Sequence, residues 1–346
     1  MLLNLPDFRP QPKLVVPSIA VLAPRFPVVD AHNHLGIFGG NYDRRKPQEL
    51  FARMDEAGVT HYVDLDGGWG ESVVRDRLER FKAYAPDRYC VFAGVPWAKW
   101  REHGDAFGDY AARRLREQAR WGAQGLKIWK NFGLHERDQN DAVVSVDDVR
   151  LDPLWATAGE LGLPVVIHVA DPVAFFDPVD ARNERWEELH AHPDWMFPSP
   201  PFPPFMTIME QFARLVERHP QTKFIGAHVG CYAENLAWVS ALLDRCPNFY
   251  VDISARIGEL GRQPYSARRF FLKYSDRIFF GIDAGPDIES YRLYYRFLET
   301  DDEYFNYSAG SETPLQGRWN IYGLHLPDDV LRRVYAGNAL RLFRFG

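Results

Sequence analysis

Phe26-Pro-Val-Val-Asp30-Ala-His32-Asn-His34 is the stretch whose reading decides the fold of this chain. Its first half is an apolar, β-branched run suited to a strand covered on both faces. Its second half sets two imidazoles at i and i+2, and on extended backbone such side chains leave from the same face. Two neutral imidazoles at one strand end therefore point at one place. Four more short runs stop in a similar way: Gly125-Leu-Lys127-Ile128, Pro164-Val-Val-Ile-His168, Lys223-Phe-Ile-Gly-Ala-His228 and Arg277-Ile-Phe-Phe-Gly-Ile-Asp283. One such ending is ordinary, whereas five in series point to one metal centre assembled at one end of a barrel.

Working outward, strand-like runs recur at about residues 26–31, 60–65, 89–95, 124–129, 164–169, 223–228, 249–253 and 278–283. Helical stretches lie between them, at Pro47 to Ala57, Glu71 to Ala85, Phe107 to Trp121, Pro153 to Leu161, Phe205 to Arg218, Glu234 to Arg245 and Ala267 to Tyr274. Repeated strand–helix alternation implies a parallel sheet, and eight strands is the number of a (β/α)8 barrel. A doubly wound sheet also alternates, but it usually places a Gly-rich turn after the first strand, where this chain has His-Asn-His. The predicted fold is therefore α/β, a distorted (β/α)8 TIM barrel forming a single domain over residues 26–346, preceded by a Pro-rich extended arm over residues 1–25. The placement puts the five endings on strands one, four, five, six and eight. Two connections, about 170–205 and about 285–327, are too long for simple loops. They follow strands five and eight, on the active-site face of a barrel, and are expected to form walls or lids. The second is rich in tyrosine: Tyr291, Tyr294, Tyr295, Tyr304 and Tyr307.

With 346 residues, 46% hydrophobic and 25% charged, the chain can bury a large core. A net charge of −6 gives no basic field, so nucleic acid and anionic membrane are set aside as partners in favour of a small-molecule substrate. A homo-oligomer stays open. Cys90, Cys231 and Cys246 are odd in number and lack CxxC spacing, which argues against a disulfide framework or thiolate zinc site. Cys231 is read as packing despite its closeness to His228. No basic leader with a long apolar run opens the chain, and nothing approaches the ~18 apolar residues of a membrane span, so a cytoplasmic location is expected.

Among the candidate ligands, His168 and His228 gain weight from their company with His32, His34 and Asp283. Asp283 ends a buried run and can serve as an oxygen ligand or as a general base toward water. Asp30 is expected to orient one of the histidines from behind. Lys127 lies in an otherwise apolar run, where an unpaired cation is costly. It either pairs with a carboxylate such as Asp252 or Glu184, binds a substrate anion through an amine of lowered pKa, or carries CO2 as a carbamate bridging two metals. By strand alternation Lys130 should point the opposite way. Arg256, in Val251-Asp-Ile-Ser-Ala-Arg256, suits a substrate carboxylate, with a surface ion pair to Glu259 as its alternative. Trp69, Trp97 and Trp129 stand at strand ends; Trp69 is the candidate ring platform, against plain packing at the barrel mouth.

At Asp30-Ala-His32-Asn-His34, His168, His228-Val-Gly230, Gly281-Ile-Asp283 and the closing Tyr335-Ala-Gly-Asn-Ala-Leu-Arg-Leu-Phe343, the chain resembles the amidohydrolase superfamily, in its amidohydrolase-related branch of hydrolases, lactonases and decarboxylases. The resemblance spans about residues 26 to 343. It implies a divalent metal, zinc first and manganese or another ion next, held by His32, His34, His168 and Asp283. It further implies His228 as catalytic acid/base or ligand to a second ion, and Lys127 at the fourth-strand lysine position of binuclear relatives. Family decarboxylases often carry Glu two residues before the first histidine, where this chain has Asp30, and some lactonases of the branch work without metal. The expected activity is hydrolysis of a small ester, lactone or amide, with a carboxylic acid as the candidate substrate. The alternatives are non-oxidative decarboxylation of an unsaturated or aromatic acid, or a non-catalytic ligand-binding barrel.

Overall fold

A computed structural model of the chain describes residues 3–308 and 310–345. Eight parallel strands follow one another: β1 (Val28–Asn33), β2 (Val59–Asp64), β3 (Tyr89–Val91), β4 (Leu126–Ile128), β5 (Val165–Ile167), β6 (Phe224–Gly226), β7 (Phe249–Asp252) and β8 (Ile278–Phe279). They pair in chain order as β1-β2-β3 and β4-β5-β6-β7-β8. Two seams close the ring. Ala93 bridges in parallel to Leu126, with Lys127 N donating to Ala93 O at 2.9 Å. Ala31 N donates to Phe280 O at 2.9 Å, which joins β8 to β1. The strands lie at every predicted place; β1 and β2 keep the expected six residues and the other six are shorter, because backbone pairing ends where the chain turns outward into the site.

Strand side chains alternate between two cores. Val29, Ala31, Val63, Cys90, Val166, Ile225 and Phe279 fill the barrel interior with Ala339 of the last helix, Asn338–Leu342, and Phe343 just after it, while Val28, Tyr62, Val165, Ile167 and Phe224 pack against the helical layer. Lys127 is in register with Val166, so it occupies the interior row. Helices Pro47–Ala57, Phe107–Trp121 and Phe205–Arg218 have the predicted bounds. The first begins with Pro at its opening turn and ends at Gly58 with φ 76°, a left-handed stop that suits glycine.

The long connection after β8 holds more order than expected. It opens with helix Ile288–Glu299, the outer helix of the eighth unit, and buries Tyr291, Tyr294 and Tyr295 against Phe280. Those tyrosines pack the core instead of walling the site. The arm runs extended along the same region, with Ile19 N on Asp302 Oδ2 at 2.8 Å and Arg25 N on Glu299 Oε1 at 2.9 Å. Cys90, Cys231 and Cys246 are buried free thiols, and no described helix is long and apolar enough to cross a membrane.

Candidate metal centre

The end of β1 is irregular: its register with β2 shifts between Asp30 and Asn33. A bulge of this kind re-aims side chains. His32 and His34 turn into the barrel mouth, while Asp30 and Asn33 turn outward together. Asn33 Nδ2 donates to Asp30 Oδ2 at 2.6 Å, and Tyr291 OH donates to the same oxygen at 2.6 Å. Burial pushes the Asp30 carboxyl up to about 7 against those hydrogen bonds. Asp30 thus ties β1 to helix Ile288–Glu299 and orients neither imidazole ring. That task falls to Asp252 and Asp66: His32 Nδ1 is 2.8 Å from Asp252 Oδ2, and His34 Nδ1 is 3.0 Å from Asp66 Oδ1. A carboxylate only accepts, so each Nδ1 carries a proton and Nε2 is the atom each ring turns to the mouth.

Those Nε2 atoms meet Asp283. His34 Nε2 lies 3.2 Å and His32 Nε2 3.9 Å from Asp283 Oδ1, and the three ligand atoms lie within 4.8 Å of one another. His228 approaches from β6, its Nε2 3.7 Å from Asp283 Oδ2 and its Nδ1 donating to Ser254 O at 2.8 Å. Burial would raise the Asp283 carboxyl, but His32, His34 and His228 outweigh it and hold it well below the usual carboxylate range. Burial, with His168 and Arg256 nearby, pulls His228 well below its ordinary value, so its ring is neutral. Asp283 and Asp66 overcome burial at His34 and raise it to about 9. Both His228 (φ 58°) and Asp283 (φ 55°) are left-handed, a strained backbone of the sort that collects at functional sites. Two neutral-capable nitrogens and one carboxylate oxygen converging without a competing hydrogen-bond donor other than Lys127 fit a divalent ion.

His168 stands beside this trio. Its ring centroid is 4.4 Å from that of His228, and its Nε2 is 3.3 Å from Asp171 Oδ1 without hydrogen-bond geometry. Burial lowers it to about 4, so it too is neutral and keeps a nitrogen free of hydrogen bonds. Lys127 pairs with neither suggested carboxylate. Glu184 holds Arg262 at 2.6 Å, and Lys127 Nζ instead lies 3.2 Å from His32 Nε2, its pKa lowered to about 8 by burial. Lys130 also enters the site, contrary to the alternation rule, because β4 ends at Ile128 and the chain turns; its Nζ bonds Asp171 Oδ2 at 2.6 Å.

A cavity of about 310 Å3 opens from these groups. Phe38 and Trp129 line one part and Phe175 and Trp195 another. Trp129 stacks on His34 with centroids 4.9 Å apart, and takes the place expected of Trp69. Trp69 is absent from the lining, is 54% exposed and backs Trp129 at 4.3 Å. Trp97 packs on Trp100, Phe107 and Phe132. Arg256 lines the cavity, is 5% exposed, and donates only to its own neighbour Ala255 O at 2.8 Å; among the described residues no carboxylate lies within 4.0 Å of it. Its expected alternative partner Glu259 is bonded to the buried Arg185, which also holds Glu188 at 2.9 Å.

Asp66, Asp171 and Arg185 escaped sequence reading. Asp66 closes Asp64-Leu-Asp66 at the end of β2 and Asp171 follows His168 by three, both visible as carboxylates after a strand. Arg77 behind Asp66 gave no signal. Its Nε lies 3.1 Å from Asp64 Oδ2 and its Nη2 3.4 Å from Asp66 Oδ2, all buried.

Solved structures share this architecture. 2,6-Dihydroxybenzoate decarboxylase from Rhizobium is 17% identical, with 91% of this chain and 98% of that one covered at a TM-score of 0.56. Dihydroxybenzoic acid decarboxylase from Polaromonas sp. JS666, with bound manganese and 2-nitroresorcinol, is 17% identical over 91% and 96% at 0.55. 5-Carboxyvanillate decarboxylase from Sphingomonas paucimobilis is 16% identical over 95% and 100% at 0.53. At such identities the likeness speaks for the fold. No curated protein matches the sequence. The model of the amidohydrolase family matches residues 29–345, nearly the whole barrel with its β1, β5, β6 and β8 endings, and the chain belongs to that family.

Proposed function

We propose that the protein is a metal-dependent hydrolase of a small ester, lactone or amide that bears a carboxylate. The observation that carries this reading is the set of three imidazoles, each anchored at Nδ1 by an acceptor outside the mouth, whose Nε2 atoms converge on the ionised Asp283. His32, His34 and Asp283 would hold the ion, with His168 as a further nitrogen ligand. When bound, a divalent ion lowers the pKa of its water from about 15.7 toward about 7 and polarises the scissile carbonyl. The nitrogen and oxygen donors suit zinc and manganese alike. Asp283 takes a proton from the attacking water and delivers it to the leaving oxygen or nitrogen. Neutral His228 places Nε2 beside the reacting carbonyl, where it serves as the acid/base partner. Arg256, buried and without a carboxylate of its own, supplies a planar fork for the substrate carboxylate. Lys127 adds a second amine at the same end, either as an ammonium toward a substrate anion or as a carbamate toward a second ion.

Non-oxidative decarboxylation is the second reading, and two observations favour it: the unpaired Arg256 beside aromatic walls, and the aromatic-acid decarboxylases among the structures of like fold. Turnover of lactones, esters and aromatic acids with added zinc or manganese in 18O-labelled water separates the two. Label in the acid product supports hydrolysis; CO2 release without label overturns it. Asp283→Asn is expected to abolish turnover while the fold, followed by circular dichroism, is retained; near-full activity would remove Asp283 from its role.

A further inference from the structure

The space in front of the metal centre continues. Glu188, Trp195 and Gln316 line the inner cavity and also line a second one of about 600 Å3, so the two meet at these residues. One wall of the outer space is helix Trp186–Ala191 with the turn Pro193–Trp195 from the connection after β5. The other is residues 311–318 from the connection after β8, and Arg9 of the arm completes it. Arg318 clasps the walls together. Its Nε and Nη2 donate to Glu187 at 2.6 and 2.8 Å, Nη2 also donates to the arm carbonyl of Leu5 at 2.7 Å, and Nη1 to that of Phe8.

The surface chemistry indicates an occupant. Glu187 is neutralised by Arg318 and Glu188 by Arg185, while Arg9 and Glu312 are exposed and 3.9 Å apart. Among the described residues that line the chamber, no concentrated charge is left for a second anion or cation. What is offered instead is a flat aromatic face, His192 lying on Trp195 with centroids 4.1 Å apart and planes at 12°, together with the 71% exposed Leu315 and the Gln316 amide. Such surfaces suit an uncharged planar or chain-like group. The inner cavity alone sits near the bottom of the ~300–1,000 Å3 range of ligand sites, and the two together reach its upper part.

We propose that the outer chamber is a subsite for an uncharged, ring-bearing tail, and that the substrate is an elongated acid whose carboxylate and scissile bond occupy the inner cavity while the tail passes Trp195 and Gln316. The assignment rests on the hydrolase reading for the bond that is cut. Water adds to the carbonyl carbon, the bond to the leaving oxygen breaks, and the alcohol departs with the proton taken from water.

The test uses two esters of one dicarboxylic acid, methyl and 2-naphthylmethyl, with the full-length enzyme loaded with zinc or manganese. Ala191 lines only the outer chamber, is exposed, and takes no part in the metal centre, so Ala191→Trp narrows the chamber alone. The naphthylmethyl ester is expected to exceed the methyl ester at least tenfold in kcat/KM. Ala191→Trp should cut the long ester at least tenfold and leave the short one within twofold. Equal rates for both esters, or equal effects of the variant on both, overturn the proposal. A binding arm stands apart from turnover: 2-naphthylmethanol is titrated into the protein and followed by tryptophan fluorescence. Binding that Ala191→Trp weakens tenfold upholds the chamber even if neither ester is cleaved, in which case the hydrolase reading alone fails. Absent binding, or binding unchanged in the variant, overturns the subsite.

Discussion

Removing the Arg77 guanidinium tests whether the charge balance behind His34 holds the barrel mouth together. Arg77 is 5% exposed and faces Asp64 at 3.1 Å and Asp66 at 3.4 Å, with Asp76 at 2.5 Å and Asp43 at 3.6 Å on its outer side. Arg77→Met keeps the length of the side chain and deletes the charge, leaving two buried carboxylates beside each other. Breaking a buried pair from one side costs about 3–5 kcal/mol. For a chain of 346 residues the unfolding entropy is about 0.7 kcal/mol/K, so the expected fall in Tm is about 4–7 °C. The loss also depends on pH. Burial and the neighbouring Asp66 already raise Asp64 to about 7, with Arg77 pulling it down. A carboxyl raised in the folded state contributes stability that is complete below the ordinary carboxylate range and is lost as pH rises through its folded value. Without Arg77 that value climbs further, so the carboxyl is protonated at acid pH and the variant loses less there. Thermal unfolding of wild type and variant at about pH 5.5 and about pH 8 reads both effects. A Tm change under about 1 °C at the higher pH, or the same loss at both, would refute the reasoning.

Asp66→Asn keeps an acceptor for Leu35 N and Gly36 N but weakens the hold on His34 Nδ1, and divalent-metal affinity should fall about 10- to 100-fold in competition with a chromophoric chelator. Arg256→Gln should raise KM for carboxylate substrates about 10- to 100-fold, the loss of one charge-assisted contact, with little change in kcat and none for an uncharged analogue. Gly68→Ala would set a methyl 1.9 Å from Trp129 Nε1 and 3.1 Å from Lys127 Cγ. The indole must then leave its stack on His34, which should show as a shifted tryptophan emission and a stability loss of about 1–3 kcal/mol.

Much of the barrel was readable from periodicity, because each strand is buried on both faces and each helix carries one apolar stripe. The eight strands fall within a few residues of their expected places, and the His-Asn-His pair does share one face. The reading of Asp30 failed for a reason outside the reach of a residue list. Strict alternation puts Asp30, His32 and His34 on one side, but the bulge inserts a step after Asp30, so the carboxylate turns to Tyr291 instead of an imidazole. Lys130 is the same error in reverse, alternation carried past the end of β4. Trp69 and Trp129 both follow strands, and only the packing of Trp129 on His34 separates wall from backing.

The sequence alone determined the fold class, the order of the strands and the run endings His32, His34, Lys127, His168, His228 and Asp283 that come to the mouth, since those follow from local burial patterns and from the ends of apolar runs. Tertiary structure decided which atoms face one another. Asp66 and Asp252 became the anchors of two imidazoles, Arg256 was left without a carboxylate among the described residues while Arg185 took Glu259, and two distant connections met around an outer chamber. Those pairings depend on contacts across many tens of residues, where distance in space, not spacing in sequence, sets the energy.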